Sequence, residues 1–248
     1  MKSFAFAATI GAVSAVRPVE FKFMQHLAKF AKSYVEVAEF NARLAFFELA
    51  EAEIQESNAA EANFTLGHNQ FSDWSAAEYK AILGASPGVE AELRILPETN
   101  ADEVNWITRG GVNAIKDQGQ CGSCWAFSSV AALEGAHFVA SGNLLSFSEQ
   151  QLVDCAYGGN YGSYGCNGGW PSAAMTYYEN HDAELESTYP YTSGSDTSTK
   201  ACQYQQSSAT SVEVNQVYSV QTNSVAQMKA ALDNQVLSVL VEADRSAW

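Results

Sequence analysis

The chain has 248 residues, of which 47% are hydrophobic, so it can bury a sizeable core. Thirteen Lys and Arg against 28 Asp and Glu give a formal net charge of −15. A field of that sign repels nucleic acids and anionic membrane surfaces, so the composition argues against a polyanion-binding protein.

The first fifteen residues have the pattern of a secretory signal peptide. A basic start at Lys2 precedes a short apolar run that ends in small residues, Val13-Ser14-Ala15. We expect cleavage after Ala15, with a buried helix as the alternative interpretation. The run is too short to span a bilayer, and no later segment is a better candidate, so we expect no stable membrane insertion.

Residues 18–58 predict two helices with a break near Ser33-Tyr34, because apolar side chains recur at helical spacing among Glu, Lys and Ala. These apolar residues are Phe23, Leu27, Phe30, Phe40, Leu44, Phe47 and Ile54.

An N-glycan acceptor triplet, Asn63-Phe64-Thr65, follows the predicted helices and is the only such triplet in the sequence. Because the first residues predict entry into the secretory pathway, we expect a glycan on Asn63.

Further along the chain, residues 86–103 contain two prolines and several acids, which is typical of an exposed linker between domains. Residues 124–140 are apolar nearly all round and end before a glycine, which predicts a buried helix. Residues 155–169 contain six glycines and predict a loop. Residues 225–232 then predict a short helix, and residues 236–241 predict a strand.

All five cysteines lie between Cys121 and Cys202. In a secreted protein two disulfides would leave one thiol over, which is a candidate reactive group. Cys121 and Cys124 have the spacing of a redox pair or half a zinc site. No second such pair exists and no βαβ pattern surrounds this one, so we disfavour both alternatives.

Residues 118–125 read Gln-Gly-Gln-Cys-Gly-Ser-Cys-Trp, and their last five residues resemble the signature of the papain and cathepsin family. The resemblance implies that Cys124 is a nucleophile of peptide hydrolysis. A helix that begins at Cys124 would favour its thiolate. The resemblance also implies that the Gln118 side chain and the Cys124 backbone N–H donate to the oxyanion.

Three more segments resemble family landmarks: Ser148 to Cys155, Gly165 to Gly169, and Ser187 to Tyr191. The resemblance implies disulfides between Cys121 and Cys166 and between Cys155 and Cys202, which leave Cys124 free. It further implies that backbone at Gly168 and Gly169 pairs with extended substrate. The side chains that it places in an apolar substrate pocket are Trp170, Pro171 and Leu240.

The helical region before residue 86 resembles the inhibitory propeptide of cathepsin L-type precursors. The residues that match its long interrupted motif are Glu39, Arg43, Phe47, Ile54 and Asn58, whereas Ala50 stands where the family has Asn. A second motif matches at Gly67, Asn69, Phe71 and Asp73.

The family places its catalytic His and Asn about 130–150 residues beyond the cysteine. Trp248 is 124 positions after Cys124, so we expect both partners to lie outside this sequence. His137 lies thirteen positions along the predicted helix from Cys124, or about 20 Å, and is too far away to be the base. His26, His68 and His181 are interpreted as surface or helix residues.

The prediction is an α+β fold of the two-lobed papain type, with a complete helical left lobe and a β-rich right lobe largely missing, preceded by a helical inhibitory prodomain. We assign residues 1–15 to a signal peptide, 16–99 to the propeptide and 100–248 to the peptidase domain.

The predicted function is that of a monomeric cysteine peptidase precursor that acts through an acyl-enzyme on protein or peptide substrates, without a metal or organic cofactor. The chain by itself is expected to be inactive. We expect it in a lysosome-like compartment or outside the cell. The alternatives are a non-catalytic protease inhibitor or binding homologue, and a disulfide oxidoreductase that uses Cys121 and Cys124.

Overall fold

The computed structural model describes residues 16–244 except positions 61–62, 87, 89 and 100. The signal-like segment 1–15 therefore lies outside the described residues. The chain divides into two compact units between Ala76 and Ala77, which we call unit 1 and unit 2 in chain order. None of the helices in the described ranges is long and apolar enough to cross a lipid bilayer.

Unit 1 contains the two predicted helices, α1 (Pro18–Lys29) and α2 (Val37–Ala59). A proline in the first turn begins α1, and Arg17 donates to the Glu20 carboxylate from its backbone N–H over 3.0 Å and from Nε over 2.8 Å. The facing sides of the helices bury Phe23, Leu44 and Phe47. This small apolar core is the physical reason for the periodicity seen in the sequence.

Asp73 is the polar anchor of unit 1, and its side chain is fully buried. Lys32 donates to its Oδ1 atom, and Tyr34 Oη donates to its Oδ2 atom over 2.7 Å. Arg43 Nη1 donates to the backbone carbonyl of Asp73 over 3.3 Å, and His26 Nε2 lies 3.5 Å from Oδ1. The Asp73 carboxylate thus joins α1 to the turn that follows it, and the Asp73 backbone carbonyl adds the contact with α2.

Unit 2 is dominated by helices. They are α3 (Ala76–Ile82), which begins at the junction, α4 (Cys124–Ser141), α5 (Glu149–Cys155), α6 (Pro171–Met175), α7 (Ser193–Asp196) and α8 (Val225–Asn234). The main core packs around α4 through Trp125, Val130 and Leu133, together with Phe147 and Leu152. Helix α4 ends where Gly142 takes a φ of 73° and its N–H returns to Phe138 O.

The stretch predicted to be an exposed linker is attached at several points among its described residues. Strand β1 (Glu92–Leu93) pairs in parallel with β2 (Tyr218–Ser219). The Gln227 side chain then binds both backbone groups of Leu96, accepting over 2.8 Å and donating over 2.9 Å. Many residues of the stretch are solvent-exposed, but its backbone is held by unit 2.

The predicted strand at residues 236–241 is wrong for the described residues, because this segment has no regular secondary structure and no β-partner among them. Val236 packs against Gly135 of α4, and Ser238 Oγ lies 2.6 Å from Ser128 Oγ. Val239, Leu240 and Val241 are exposed. An apolar run alone does not make a strand, because pairing needs a neighbour that the described residues do not supply.

Candidate active site

Cys124 is the first residue of α4. Its thiol is half-buried, and of the five cysteines, all of which are described, it is the one outside a disulfide. The preceding loop, residues 118–123, is fixed by the disulfide from Cys121 to Cys166 and by the Gly122 N–H, which donates to Cys166 O over 3.0 Å. The second disulfide joins Cys155 to Cys202. These are the two pairs implied by the resemblance, and they make a Cys121–Cys124 redox pair wrong for this structure.

The thiol of Cys124 is not poised as a thiolate in this form of the protein. Burial raises its pKa, and backbone N–H groups of Gly84, Trp125 and Cys124 itself offset that effect only in part. The helix N-terminus was expected to favour the thiolate. Burial outweighs the effect of the helix N-terminus here, and the Gly84 backbone is hydrogen-bonded at the sulfur.

Gln118 directs its side-chain amide toward the same segment. Its Nε2 atom donates to Ile82 O over 3.0 Å and to Cys121 O over 2.8 Å. The carbonyl oxygen of Ile82, which lies outside the 118–123 loop, therefore accepts a hydrogen bond from the Gln118 amide. Ile82 is two positions before Gly84, whose backbone is hydrogen-bonded at Cys124. This geometry can hold the oxygen of a carbonyl compound.

Gly169 pairs with that segment as one strand pairs with another. Its N–H donates to Gly84 O over 2.8 Å, and its carbonyl accepts from Ser86 N over 3.1 Å. A Cβ atom at Gly169 would lie 2.6 Å from the Trp125 ring, and one at Gly84 would lie 2.0 Å from Gly122 O. A side chain at Gly84 would therefore collide with the Gly122 backbone, and one at Gly169 would collide with the Trp125 and Ser163 side chains.

The other predicted substrate-binding residues are more dispersed. Gly168, with a φ of 108°, accepts from Tyr164 N over 2.7 Å and so supports the turn before Gly169. Trp170 is partly exposed and precedes α6, and Pro171 is buried in the first turn of that helix. Leu240 is exposed in the unpaired segment near the end of the described residues.

Tyr191 holds the loop beside Cys124, a contact that sequence reasoning missed. Its Oη atom donates to Gln118 O over 2.8 Å and lies 2.7 Å from Ser123 Oγ. Burial raises the pKa of Tyr191 to about 12, so the phenol remains neutral. The only sequence signal was its place in a family landmark, which says nothing about this contact.

A buried charge cluster lies behind α4. Lys116 Nζ donates to Glu134 Oε1 over 3.0 Å and to Glu149 Oε1 over 2.6 Å. Burial raises the pKa of Glu149 to about 7, with Lys116 offsetting part of the effect, and burial also raises the pKa of Glu186. One lysine thus serves several buried carboxyl groups, which favours keeping a proton among them.

All four histidines are among the described residues, and their contacts lie away from Cys124. His137 packs edge-on against Phe147, and His181 stacks on Tyr177. His26 and His68 belong to unit 1, where they lie near Asp73 and Glu51 respectively. Within the described ranges, no group of three or more His, Cys, Asp or Glu side chains has the geometry to hold a metal ion.

Comparison with protein families gives two matches. Residues 100–248 match the family described as "Papain family cysteine protease". Residues 23–79 match the "Cathepsin propeptide inhibitor domain (I29)". The first match covers more than half of the chain.

Curated relatives agree with these matches. Digestive cysteine proteinase 1 of Homarus americanus is 42% identical over 147 residues, which is 59% of this chain and 44% of that protein. Cathepsin L1 of Drosophila melanogaster is 56% identical over 89 residues, which is 36% of this chain and 24% of that protein. The chain thus aligns with less than half the length of either relative.

Solved structures of precursors resemble the fold. Digestive procathepsin L 3 of the Tenebrio molitor larval midgut superposes with a TM-score of 0.71 at 30% identity, over 88% of this chain and 71% of that one. The recombinant stem bromelain precursor gives a TM-score of 0.74 at 26% identity, over 88% and 70% of the two chains.

Proposed function

Because the chain belongs to the papain family of cysteine proteases, we propose that it is the precursor of a cysteine peptidase, blocked by a segment of its own propeptide. The observation that carries the proposal is the stretch from Ile82, the last residue of α3, to Ser86. It reaches the Gln118 amide, the Cys124 thiol and the Gly169 backbone, the three groups that a peptide substrate would need.

In the proposed reaction the Cys124 thiolate attacks the carbonyl carbon of a peptide bond. The oxyanion that forms accepts from the Gln118 side chain and the Cys124 N–H. Collapse of this intermediate releases the amine and leaves an acyl-enzyme, which water hydrolyses. An imidazole must take up and return the proton, and none of the four histidines described contacts Cys124.

The precursor stays inactive for two linked reasons in this proposal. Residues 82–86 fill the path of the substrate, and their presence buries the sulfur, which keeps Cys124 as the unreactive thiol. Removal of the segment re-exposes Cys124 to water at the start of α4. Its pKa then falls, because solvent and the helix N-terminus both favour the thiolate.

We further propose that the substrates are unfolded or extended polypeptides, because Gly169 recognises backbone rather than side chains. Trp170, Pro171 and Leu240 would supply an apolar specificity pocket. The protein would enter the secretory pathway and act, as a monomer, in a lysosome-like compartment or outside the cell.

The test exploits the lack of space at Gly84. We expect Gly84→Ala to displace the segment, since its new Cβ would lie 2.0 Å from Gly122 O. A small alkylating reagent should then modify Cys124 at least about tenfold faster than in the unchanged precursor. Gly67→Ala is the matched control, because nothing lies within 4 Å of its Cβ position.

Equal alkylation rates in Gly84→Ala and Gly67→Ala would contradict the blocking role. Labelling by a peptide with an electrophilic ketone, after cleavage near residue 99, tests the peptidase assignment separately. It should depend on both Cys124 and Gln118, whereas a non-catalytic homologue would show no preference for this reagent over a simple alkylating one.

Turnover is a further discriminating observation. We expect no peptide hydrolysis from this polypeptide, because the thiol has no imidazole partner among the histidines described. Hydrolysis that disappears in Cys124→Ser would contradict this expectation and would make His181 the first candidate for the base.

A further inference from the structure

The acceptor triplet Asn63-Phe64-Thr65 plays no part in the proposed catalysis, yet the structure presents it as a free surface element of unit 1. All three residues are exposed, and Phe64 keeps 53% of its surface accessible although it is aromatic. Among the described residues, no side-chain hydrogen bond engages Asn63 or Thr65. The amide and the hydroxyl that define an acceptor are therefore both available.

The neighbouring backbone closes this loop independently of the triplet. The Asn58 side chain donates to Leu66 O over 3.0 Å and accepts from Leu66 N over 2.7 Å. Asn58 is near the end of α2, so its amide ties the start of the loop to its end. A large group on Asn63 would extend from a loop whose base is already fixed, without displacing the core of unit 1.

We propose that Asn63 is an N-glycosylation site and that its glycan labels the precursor alone. The Asn63 amide nitrogen bonds to the anomeric carbon of a lipid-diphosphate-linked oligosaccharide. The lipid diphosphate leaves, and the amide proton lost is taken up by the leaving group or solvent. Residues 100–248 contain no acceptor triplet, so the part proposed to remain after maturation carries no N-glycan within this sequence.

The second half of this inference rests on the proposed removal of the propeptide. The Asn63 glycan would leave together with the inhibitory segment at maturation.

The test translates the full chain in the presence of microsomes and compares four forms. The unchanged chain and Thr65→Ser should gain one endoglycosidase-sensitive mass step, and Asn63→Gln and Thr65→Ala should lack it. Because the transfer acts on the translocating chain, variants that fold poorly still report. Enzymatic deglycosylation in heavy-oxygen water should convert Asn63, and no other asparagine, to labelled Asp.

Any of three results would overturn the site: entry into microsomes without a mass step, a step that persists in Asn63→Gln, or failure of the chain to enter with its own first residues. The claim that the glycan is confined to the precursor is tested separately, by cleaving the glycosylated chain near residue 99. A mannose-binding lectin should retain the 16–99 fragment and not the remainder. Retention of the remainder would overturn the second half while leaving the site intact.

Discussion

The two units bury charge in opposite ways. In unit 1, burial opposes ionisation of Asp73, but hydrogen bonds from Lys32 and Tyr34 outweigh it and hold the pKa of this carboxyl below its usual value. In unit 2, burial prevails at Glu149 and raises its pKa to about 7 despite Lys116. The difference is one of stoichiometry, since unit 1 surrounds one carboxylate with several donors and unit 2 places several carboxyls around one cation.

Acid should therefore act on the units with opposite sign. A carboxyl whose pKa folding lowers gives stability that is present above its ordinary pKa and is lost as the pH falls. One whose pKa folding raises gives stability that is present at low pH and is lost as the pH rises through the folded value. Acid weakens unit 1 through Asp73 and spares the Glu149 cluster of unit 2.

The largest expected effect is the loss of the disulfide between Cys155 and Cys202, which cross-links unit 2 covalently. Replacing both Cys155 and Cys202 by Ala opens a loop of 47 residues, which should lower the unfolding free energy of unit 2 by about 4 kcal/mol. Peptide-resolved hydrogen exchange on the full chain should be faster in unit 2 than in the unchanged protein, and the exchange rates in unit 1 should not change. Cys124→Ala, which removes a thiol but no cross-link, is the control. Loosening of both units together would mean that they are not independent.

The second effect removes the anchor of unit 1. Asp73→Asn leaves Lys32 without its buried counter-charge, so unit 1 should lose about 3 kcal/mol. Exchange should accelerate in α1 and α2 while α4 keeps its protection. Glu56→Gln, on the exposed face of α2, neutralises a carboxylate of the same unit and should change little. If Asp73→Asn behaved like this control, the charge contrast between the units would be wrong.

The third effect tests the sign of the pH response. Between pH 7 and pH 4, after correction for intrinsic exchange, amide protection should fall in α1 and α2 and should not fall in α4 and α5. His26 adds to the loss in unit 1, since burial lowers its pKa below the usual value and its charging opposes the fold.

Glu149→Gln sharpens that test, because it mimics the protonated carboxyl. It should remove about 3 kcal/mol of pH dependence from unit 2 between about pH 4.5 and pH 7. An unchanged pH profile in this variant would place the shared proton elsewhere in the cluster.

The smallest effect concerns the neutral contacts beside Cys124. Tyr191→Phe loses the bonds to Gln118 O and Ser123 Oγ, which should cost about 1 kcal/mol and speed exchange in the 118–123 loop. Because both bonds are uncharged, this effect should not change with salt, unlike that of Asp73→Asn. Tyr157→Phe, at an exposed phenol, is the control. Salt sensitivity would show that charge also holds this loop.

The spacing of apolar residues along the sequence was sufficient to predict the helices. It was not sufficient to predict the hydrogen bonds that join segments far apart in the chain. Phe23, Leu44 and Phe47 repeat at helical spacing because they form one core, so α1 and α2 could be predicted from the sequence. The family signature placed Cys124 at the start of α4. By contrast, Leu96 and Gln227 are 131 positions apart, and no periodicity links one amide to one backbone unit at that separation.

The site followed the same division. Gln118 and Gly169 could be proposed from motifs, whereas Tyr191 could not, because its contact depends on a loop 73 positions away along the chain. The strand predicted at 236–241 does not form among the described residues, because an apolar run does not specify the strand that would have to pair with it.

The two hydrogen bonds between the Gln227 side chain and the Leu96 backbone affect how the blocking segment is released from the active site. Residues 82–86, strand β1 and Leu96 attach this stretch of chain to the rest of unit 2 at three successive points. Each attachment keeps the next at high effective concentration, so cutting the chain after Thr99 does not free the stretch at once. Escape requires the contacts to open in sequence faster than they re-form. Maturation would then show a lag between backbone cleavage and the appearance of a reactive thiol, and this lag would shorten in Gln227→Ala.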